Sequence, residues 1–137
     1  MPAGHPGSVG KHPGEHPIGE GVDGMPPLRL IAWEVTRSCN LACKHCRAEA
    51  HPEPYEGELS TAEAKALIDT FPATGSPIII FTGGEPFMRH DIFELIPYAK
   101  SKGLRCVMAP NGTMLTPENA ARIKELGIER CSISIDA

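Results

Sequence analysis

No basic surplus runs through this chain. Its Lys and Arg are outnumbered by Asp and Glu, for a net charge of -4 and a pI near 5.8, so phosphate-backbone binding is not expected as a main role. No apolar run approaches the ~20 residues that a membrane span requires. No charged segment followed by an apolar one opens the chain, so export is not expected. Cysteines are few, and the five present are an odd number in a chain without an export signal. A disulfide framework fits that poorly. Reduced thiols or metal ligands fit it better.

Apolar residues are also scarce at the start. Residues 1–27 hold seven Gly and six Pro, with Val9, Ile18 and Val22 scattered among them without a period. Such a segment cannot bury enough surface to offset its ordering entropy and is expected to be a disordered tail. Its histidines, His5, His12 and His16, offer at most a compositional hint of metal binding.

From Leu28 the texture changes. Leu30 to Thr36 (LIAWEVT) is a strand candidate. Ser60-Thr61-Ala62-Glu63 is a capping box, followed by Ala64, Leu67, Ile68 and Phe71 at helical spacing. Pro77 to Thr82 (PIIIFT) suits a strand buried on both faces. Ile92, Leu95, Ile96 and Ala99 repeat the helical spacing, with Pro97 expected to bend that helix and Gly103 to stop it. Leu104 to Ala109 is a third strand, Thr116-Pro117-Glu118 opens a third helix that ends at Gly127, and Glu129 to Asp136 is a fourth strand.

Strands and helices thus alternate, and the last three strands recur about every 26 or 27 residues, which implies parallel strands joined by right-handed crossovers. An open doubly wound sheet and part of a β/α barrel both fit. The fourth strand favours the barrel: Cys131, Ile133 and Ile135 alternate with Ser132, Ser134 and Asp136, and one polar face suits a lumen that holds a polar ligand. The first strand agrees, with Trp33 and Val35 opposite Glu34 and Thr36. The expected fold is α/β, a partial (β/α) barrel with only the first four β/α units present. Four strands leave an open edge, so residues 28–137 are expected to be the N-terminal part of a longer core domain.

Three of the five cysteines crowd into TRSCNLACKHC, as Cys39-x3-Cys43-x2-Cys46, directly after the first strand. In parallel α/β folds that strand end is where sites are built. A structural zinc site would need a fourth ligand, and His45 lies awkwardly between Cys43 and Cys46. A redox disulfide lacks a C-x-x-C opening a helix in a thioredoxin-like order. Three thiolates fit a [4Fe–4S] cluster with one iron left to an exogenous ligand. Cys106 and Cys131, in strands, read as small buried hydrophobes rather than as a fourth ligand.

A second motif, Gly83-Gly84-Glu85-Pro86, follows the second strand. With C-x3-C-x2-C after the first strand, it resembles the radical S-adenosylmethionine (AdoMet, SAM) superfamily from about Leu30 to Asp136. The resemblance implies that Cys39, Cys43 and Cys46 ligate three irons and that AdoMet chelates the fourth. It implies reductive cleavage of AdoMet to a 5′-deoxyadenosyl radical, which abstracts hydrogen from a substrate. Gly83, Gly84, Glu85 and Pro86 are expected to cradle AdoMet, the glycines by letting backbone approach the ligand and Glu85 by presenting an acceptor to its ammonium. Asn111, Ser134 and Asp136 fall where the family touches ribose or carboxylate. His45 departs from the usual aromatic residue before the last cysteine, and could shield the adenine or the cluster. Arg37, beside the cluster, could stabilise negative charge or be a solvated surface residue.

The wording WEVTRSCNLACKHCRAEA and FTGGEPFMRHDIFELI is similar to the haem-biosynthesis and peptide-maturase (SPASM-like) branch. That implies an oxidoreductase or lyase acting on a haem or tetrapyrrole precursor, or on a peptide. It also implies a low-potential electron donor of flavodoxin or ferredoxin type, and a reducing cytoplasm. Neither nucleic acid nor membrane is expected as a partner. Later strands that normally add adenine contacts are missing, so this stretch alone is expected to be a poor catalyst. A non-catalytic iron–sulfur or zinc module on the same half-barrel is the alternative of another class.

Overall fold

The computed structural model describes residues 23–41 and 52–133. Four strands, β1 (Leu30–Thr36), β2 (Ile78–Gly83), β3 (Arg105–Met108) and β4 (Arg130–Cys131), alternate with three α-helices, α1 (Thr61–Thr70), α2 (Ile92–Ser101) and α3 (Pro117–Glu125). All neighbouring strands pair in parallel, and the sheet order β1-β2-β3-β4 follows the chain. A doubly wound sheet would reverse its order partway and carry helices on both faces. Here the order never reverses.

Among the described residues, helices cover one face only. Ile79 and Phe81 of β2 and Cys106 and Met108 of β3 are buried with Ala64 and Ile68 of α1, Ile92, Leu95, Ile96 and Ala99 of α2, and Ile123 of α3. Trp33 of β1 packs edge-on against Phe71, with ring centroids 6.1 Å apart. On the opposite face Ile78, Ile80 and Val107 are only half-buried, and Ala32 and Glu34 are exposed. The expectation that β2 is buried on both faces therefore holds for its helix side alone. A one-sided, sequentially ordered parallel sheet is the wall of a β/α barrel.

Two of the three helices begin as their sequence dictates. Ser60 and Glu63 close a reciprocal capping box at α1, and Thr116 caps α3 by accepting the N–H of Asn119, with Pro117 at the first helical position. Helix α2 runs through Pro97. The missing backbone bond, which costs about 3 kcal/mol in a helix interior, is offset by four buried side chains on the same helix. Strand β4 is shorter than expected, ending at Cys131. Ile133, expected to share the apolar face of Cys131 away from the polar lumen side, is 41% exposed. The second half of the expected strand, with Ser134 and Asp136, lies outside the described residues, as do the His-rich stretch 1–22 and residues 42–51, which include Cys43, His45 and Cys46.

Candidate functional site

The chain leaving β1 is bent before it reaches the cysteine loop. The β1–β2 register slips between Glu34 and Thr36, so Val35 is an extra residue, and a bulge of this kind re-aims the side chains that follow it. Val35 and Thr36 are consequently both buried. The Thr36 hydroxyl accepts the N–H of Ser38 at 3.1 Å, a local turn that competes with strand continuation. Ser38, 3% exposed, donates its own hydroxyl to the Glu53 carbonyl at 3.0 Å. That bond joins the two ends of the cysteine loop. Next to it, Cys39 is 8% exposed, and its sulfur accepts the N–H of Leu41 at 3.4 Å.

Gly83 and Gly84 lie against this exit. The Gly84 N–H donates to the Thr36 carbonyl at 2.9 Å, and the Glu85 N–H donates to the Ser38 carbonyl at 2.7 Å. A Cβ on Gly83 would stand 2.1 Å from the Thr36 oxygen, and one on Gly84 would stand 2.3 Å from the Ser38 oxygen. Both oxygens are backbone and cannot swing aside. The close approach that the glycines permit is thus between two stretches of chain, whereas the sequence alone suggested an approach to a ligand.

Glu85 is fully buried. One carboxylate oxygen accepts the N–H of Phe87 at 3.2 Å and the other that of Asn111 at 2.6 Å. Burial pushes its carboxyl up, and the two backbone donors only partly offset this, leaving it above its ordinary value. Pro86, also buried, opens a single turn of 3-10 helix over Pro86–Met88. The Glu85 side chain thus fastens the end of β2 to the end of β3.

Asn111 completes the junction. Gly112, at φ +90°, turns the chain so that the Thr113 N–H and hydroxyl both reach the Asn111 side-chain oxygen, at 2.9 and 2.7 Å. The Asn111 amide nitrogen then faces the β1 exit, 3.0 Å from Asn40 Oδ1 and 3.6 Å from Cys39 Sγ. Cys39, Glu85 and Asn111, drawn from three loops, meet at the C-terminal edge of the sheet.

Sequence reasoning missed the support beneath this junction. Arg89, 3% exposed, forms a bidentate pair with Asp91, its Nε 2.6 Å from Oδ1 and its Nη2 3.0 Å from Oδ2. It also donates to the carbonyls of Val35 at 2.8 Å and Leu59 at 2.9 Å. Burial pushes the Asp91 carboxyl up, but bonds from Arg89 and from the Thr61 hydroxyl outweigh it and hold the group below its ordinary value. The spacing Arg89-His90-Asp91 ahead of a helix was the available signal, although nothing in it names the carbonyls that Arg89 reaches. Arg37 is exposed, with its guanidinium 4.6 Å from the centre of the Tyr55 ring. A groove of about 310 Å³, lined by Glu34, Thr36, Arg37, Tyr55 and Glu58 among others, opens beside it.

The other two described cysteines sit apart from this edge. Cys106 is 1% exposed within the helix-side core, and burial pushes its thiol up to about 11. Burial likewise raises Cys131. Both favour the neutral thiol, the wrong form for a metal ligand. The Cys39 sulfur, at the sheet edge, faces two N–H donors, Leu41 and Asn111. Such donors suit a negatively charged sulfur, so the residue present fits a cluster thiolate. Among the described residues no group of three or more His, Cys, Asp or Glu side chains could hold a metal ion, Cys43 and Cys46 being outside them.

The model of the radical SAM superfamily matches residues 33–137. An AdoMet-dependent heme synthase of Nitratidesulfovibrio vulgaris is 70% identical over 128 residues, which cover 93% of this chain and 35% of that protein. An Fe-coproporphyrin III synthase of Methanosarcina barkeri is 49% identical over 107 residues, covering 78% of this chain and 27% of that one. The chain therefore spans about a third of the length of these curated relatives. Among solved structures, BtrN in an open conformation superposes with a TM-score of 0.67 at 23% identity, over 80% of this chain and 51% of that one, a likeness of fold. No helix among the described residues is long and apolar enough to cross a membrane.

Proposed function

Because the chain belongs to the radical SAM superfamily, whose members use a [4Fe–4S] cluster and AdoMet, we propose that it forms the cofactor-binding part of an enzyme that modifies carboxylate side chains of a haem precursor. The observation that carries this reading is the 2.7 Å bond from Glu85 N–H to the Ser38 carbonyl, which sets the GGEP loop directly against the residue before Cys39. Cys39, Cys43 and Cys46 would hold the cluster, with AdoMet seated beside it. When bound, the pair supplies a one-electron cleavage that yields a 5′-deoxyadenosyl radical able to take hydrogen from the substrate.

The chain's own part is to position and to exclude water. Thr36, Ser38 and the two glycines fix where Cys39 stands. Glu85 holds the β3 loop over the same edge, leaving the backbone around Gly84 to Pro86 as the surface for the methionine end of AdoMet. Ser134 and Asp136 would touch the ribose or the carboxylate, and His45 would shield the adenine or the cluster. The electron would come from a donor of flavodoxin or ferredoxin type in a reducing cytoplasm.

The haem precursor is favoured over a peptide by the relatives at 70% and 49% identity, both named for haem-type products. The test is anaerobic turnover of the full-length protein with dithionite, AdoMet and an iron-coproporphyrin. Release of 5′-deoxyadenosine that depends on the porphyrin is expected. Release that depends instead on a peptide, or none with any porphyrin, would overturn this assignment.

A further inference from the structure

Three side chains at the sheet edge close a hydrogen-bonded ring. The Asn111 amide donates to Asn40 Oδ1 at 3.0 Å, the Asn40 amide donates to Thr113 Oγ1 at 2.8 Å, and the Thr113 hydroxyl donates to Asn111 Oδ1 at 2.7 Å. The direction of the ring is settled by the Thr113 backbone N–H, which can only donate and which meets Asn111 Oδ1 at 2.9 Å. An amide flip at Asn111 would set donor against donor. The ring consumes one of the two Asn111 amide hydrogens. The other is directed at Cys39 Sγ, 3.6 Å away, beside the Leu41 N–H at 3.4 Å.

We infer that Asn111, held by Asn40 and Thr113, is a hydrogen-bond donor to the Cys39 thiolate that raises the reduction potential of the cluster it ligates. The inference rests on the reading of Cys39 as a cluster ligand. A hydrogen bond to a ligating sulfur stabilises the more electron-rich state. One electron converts the oxidised cluster to a reduced form one unit more negative, so the donor favours the reduced form. Thr113 acts through Asn111 and is a positioning residue. The side chain that the sequence offered as an AdoMet contact is, in this arrangement, already committed on both its oxygen and its nitrogen.

The experiment is an electron-paramagnetic-resonance redox titration, with dithionite as reductant, of the anaerobically reconstituted full-length protein. Wild type, Asn111→Ala, Thr113→Val and Thr113→Ser are compared, with iron counted and AdoMet affinity measured for each. Asn111→Ala and Thr113→Val are expected to hold the wild-type iron complement with a midpoint moved to more negative potential, so that at a fixed potential the reduced fraction is several-fold smaller. Thr113→Ser keeps the hydroxyl and should match wild type. If Asn111→Ala does not load, Thr113→Val decides. A loaded variant with an unmoved midpoint overturns the inference, and so does one in which only AdoMet affinity falls. Wild-type protein that binds no iron overturns it together with the reading of Cys39, whereas the first two results leave that reading standing.

Discussion

The Ser38 carbonyl accepts the backbone N–H of Glu85 at 2.7 Å, so the residue before the first cysteine and the acidic residue of the GGEP loop are direct hydrogen-bonded neighbours. Ser38 is fully engaged: its N–H meets Thr36, its carbonyl meets Glu85, and its hydroxyl meets Glu53. The chain leaving β1, as far as Ser38, and the GGEP loop are consequently a single mechanical unit.

Gly84→Ala should disrupt that unit. Its Cβ would stand 2.3 Å from the Ser38 oxygen and 2.7 Å from the Arg37 oxygen, and backbone has to move to admit it. Overpacking of this kind costs about 1–3 kcal/mol. The expected result is a lower thermal midpoint together with a lower iron content after reconstitution. A variant that loads iron as wild type does would remove the mechanical role.

Glu85 makes a prediction about pH. Its folded-state pKa is raised, mainly by burial, so the native protein binds more protons than the unfolded chain between the ordinary carboxylate value and the raised folded one. For this group stability falls as pH rises through that window. Glu85→Gln should flatten that part of the stability profile, measured by urea denaturation between acid and neutral pH. Glu85→Ala should instead destabilise at every pH, by about 1–3 kcal/mol for each buried N–H it leaves unpaired, at Phe87 and Asn111. A profile unchanged in Glu85→Gln would contradict the burial argument.

Arg89 and Asp91 act in the opposite sense. The Asp91 pKa is depressed in the folded protein, with bonds from Arg89 and Thr61 outweighing burial. Its contribution is fully present above the ordinary Asp value and is lost as pH falls through the folded one. Removing one partner of a buried ion pair costs about 3–5 kcal/mol, so Arg89→Ala should be strongly destabilising in a urea titration. A loss within that of an ordinary surface substitution would show the pair to be dispensable.

How much of this was legible beforehand varies with how local the signal is. Capping by Ser60 and Thr116 and the α2 stripe from Ile92 to Ala99 follow from periodicity and cap chemistry within a few residues, whereas the half-exposed second face of β2 does not. The two motifs by themselves point to the family. What GGEP does was less legible. Gly83 and Gly84 meet Thr36 and Ser38, more than forty residues away, and Glu85 meets Asn111. Such pairings depend on strand register, and a bulge at Val35 shifts that register by one. Arg89, Ser38 and Thr113 were missed for the same reason, since their partners are carbonyls or loops that only the assembled sheet brings near.

The cysteines separate cleanly. Cys106→Ala should leave iron content intact, because that thiol is buried in the helix-side core and pushed up to about 11, whereas Cys43→Ala should abolish the cluster. Iron lost from the Cys106 variant at unchanged thermal stability would mean that the ligand set is wrong.

The most direct measurement is the electron-paramagnetic-resonance spectrum of anaerobically reconstituted, dithionite-reduced full-length protein, recorded before and after AdoMet is added, with iron and sulfide counted on the same sample. About four irons and four sulfides per chain and a signal that changes with AdoMet are predicted. Zinc in place of iron, or a cluster whose signal ignores AdoMet, would contradict the account.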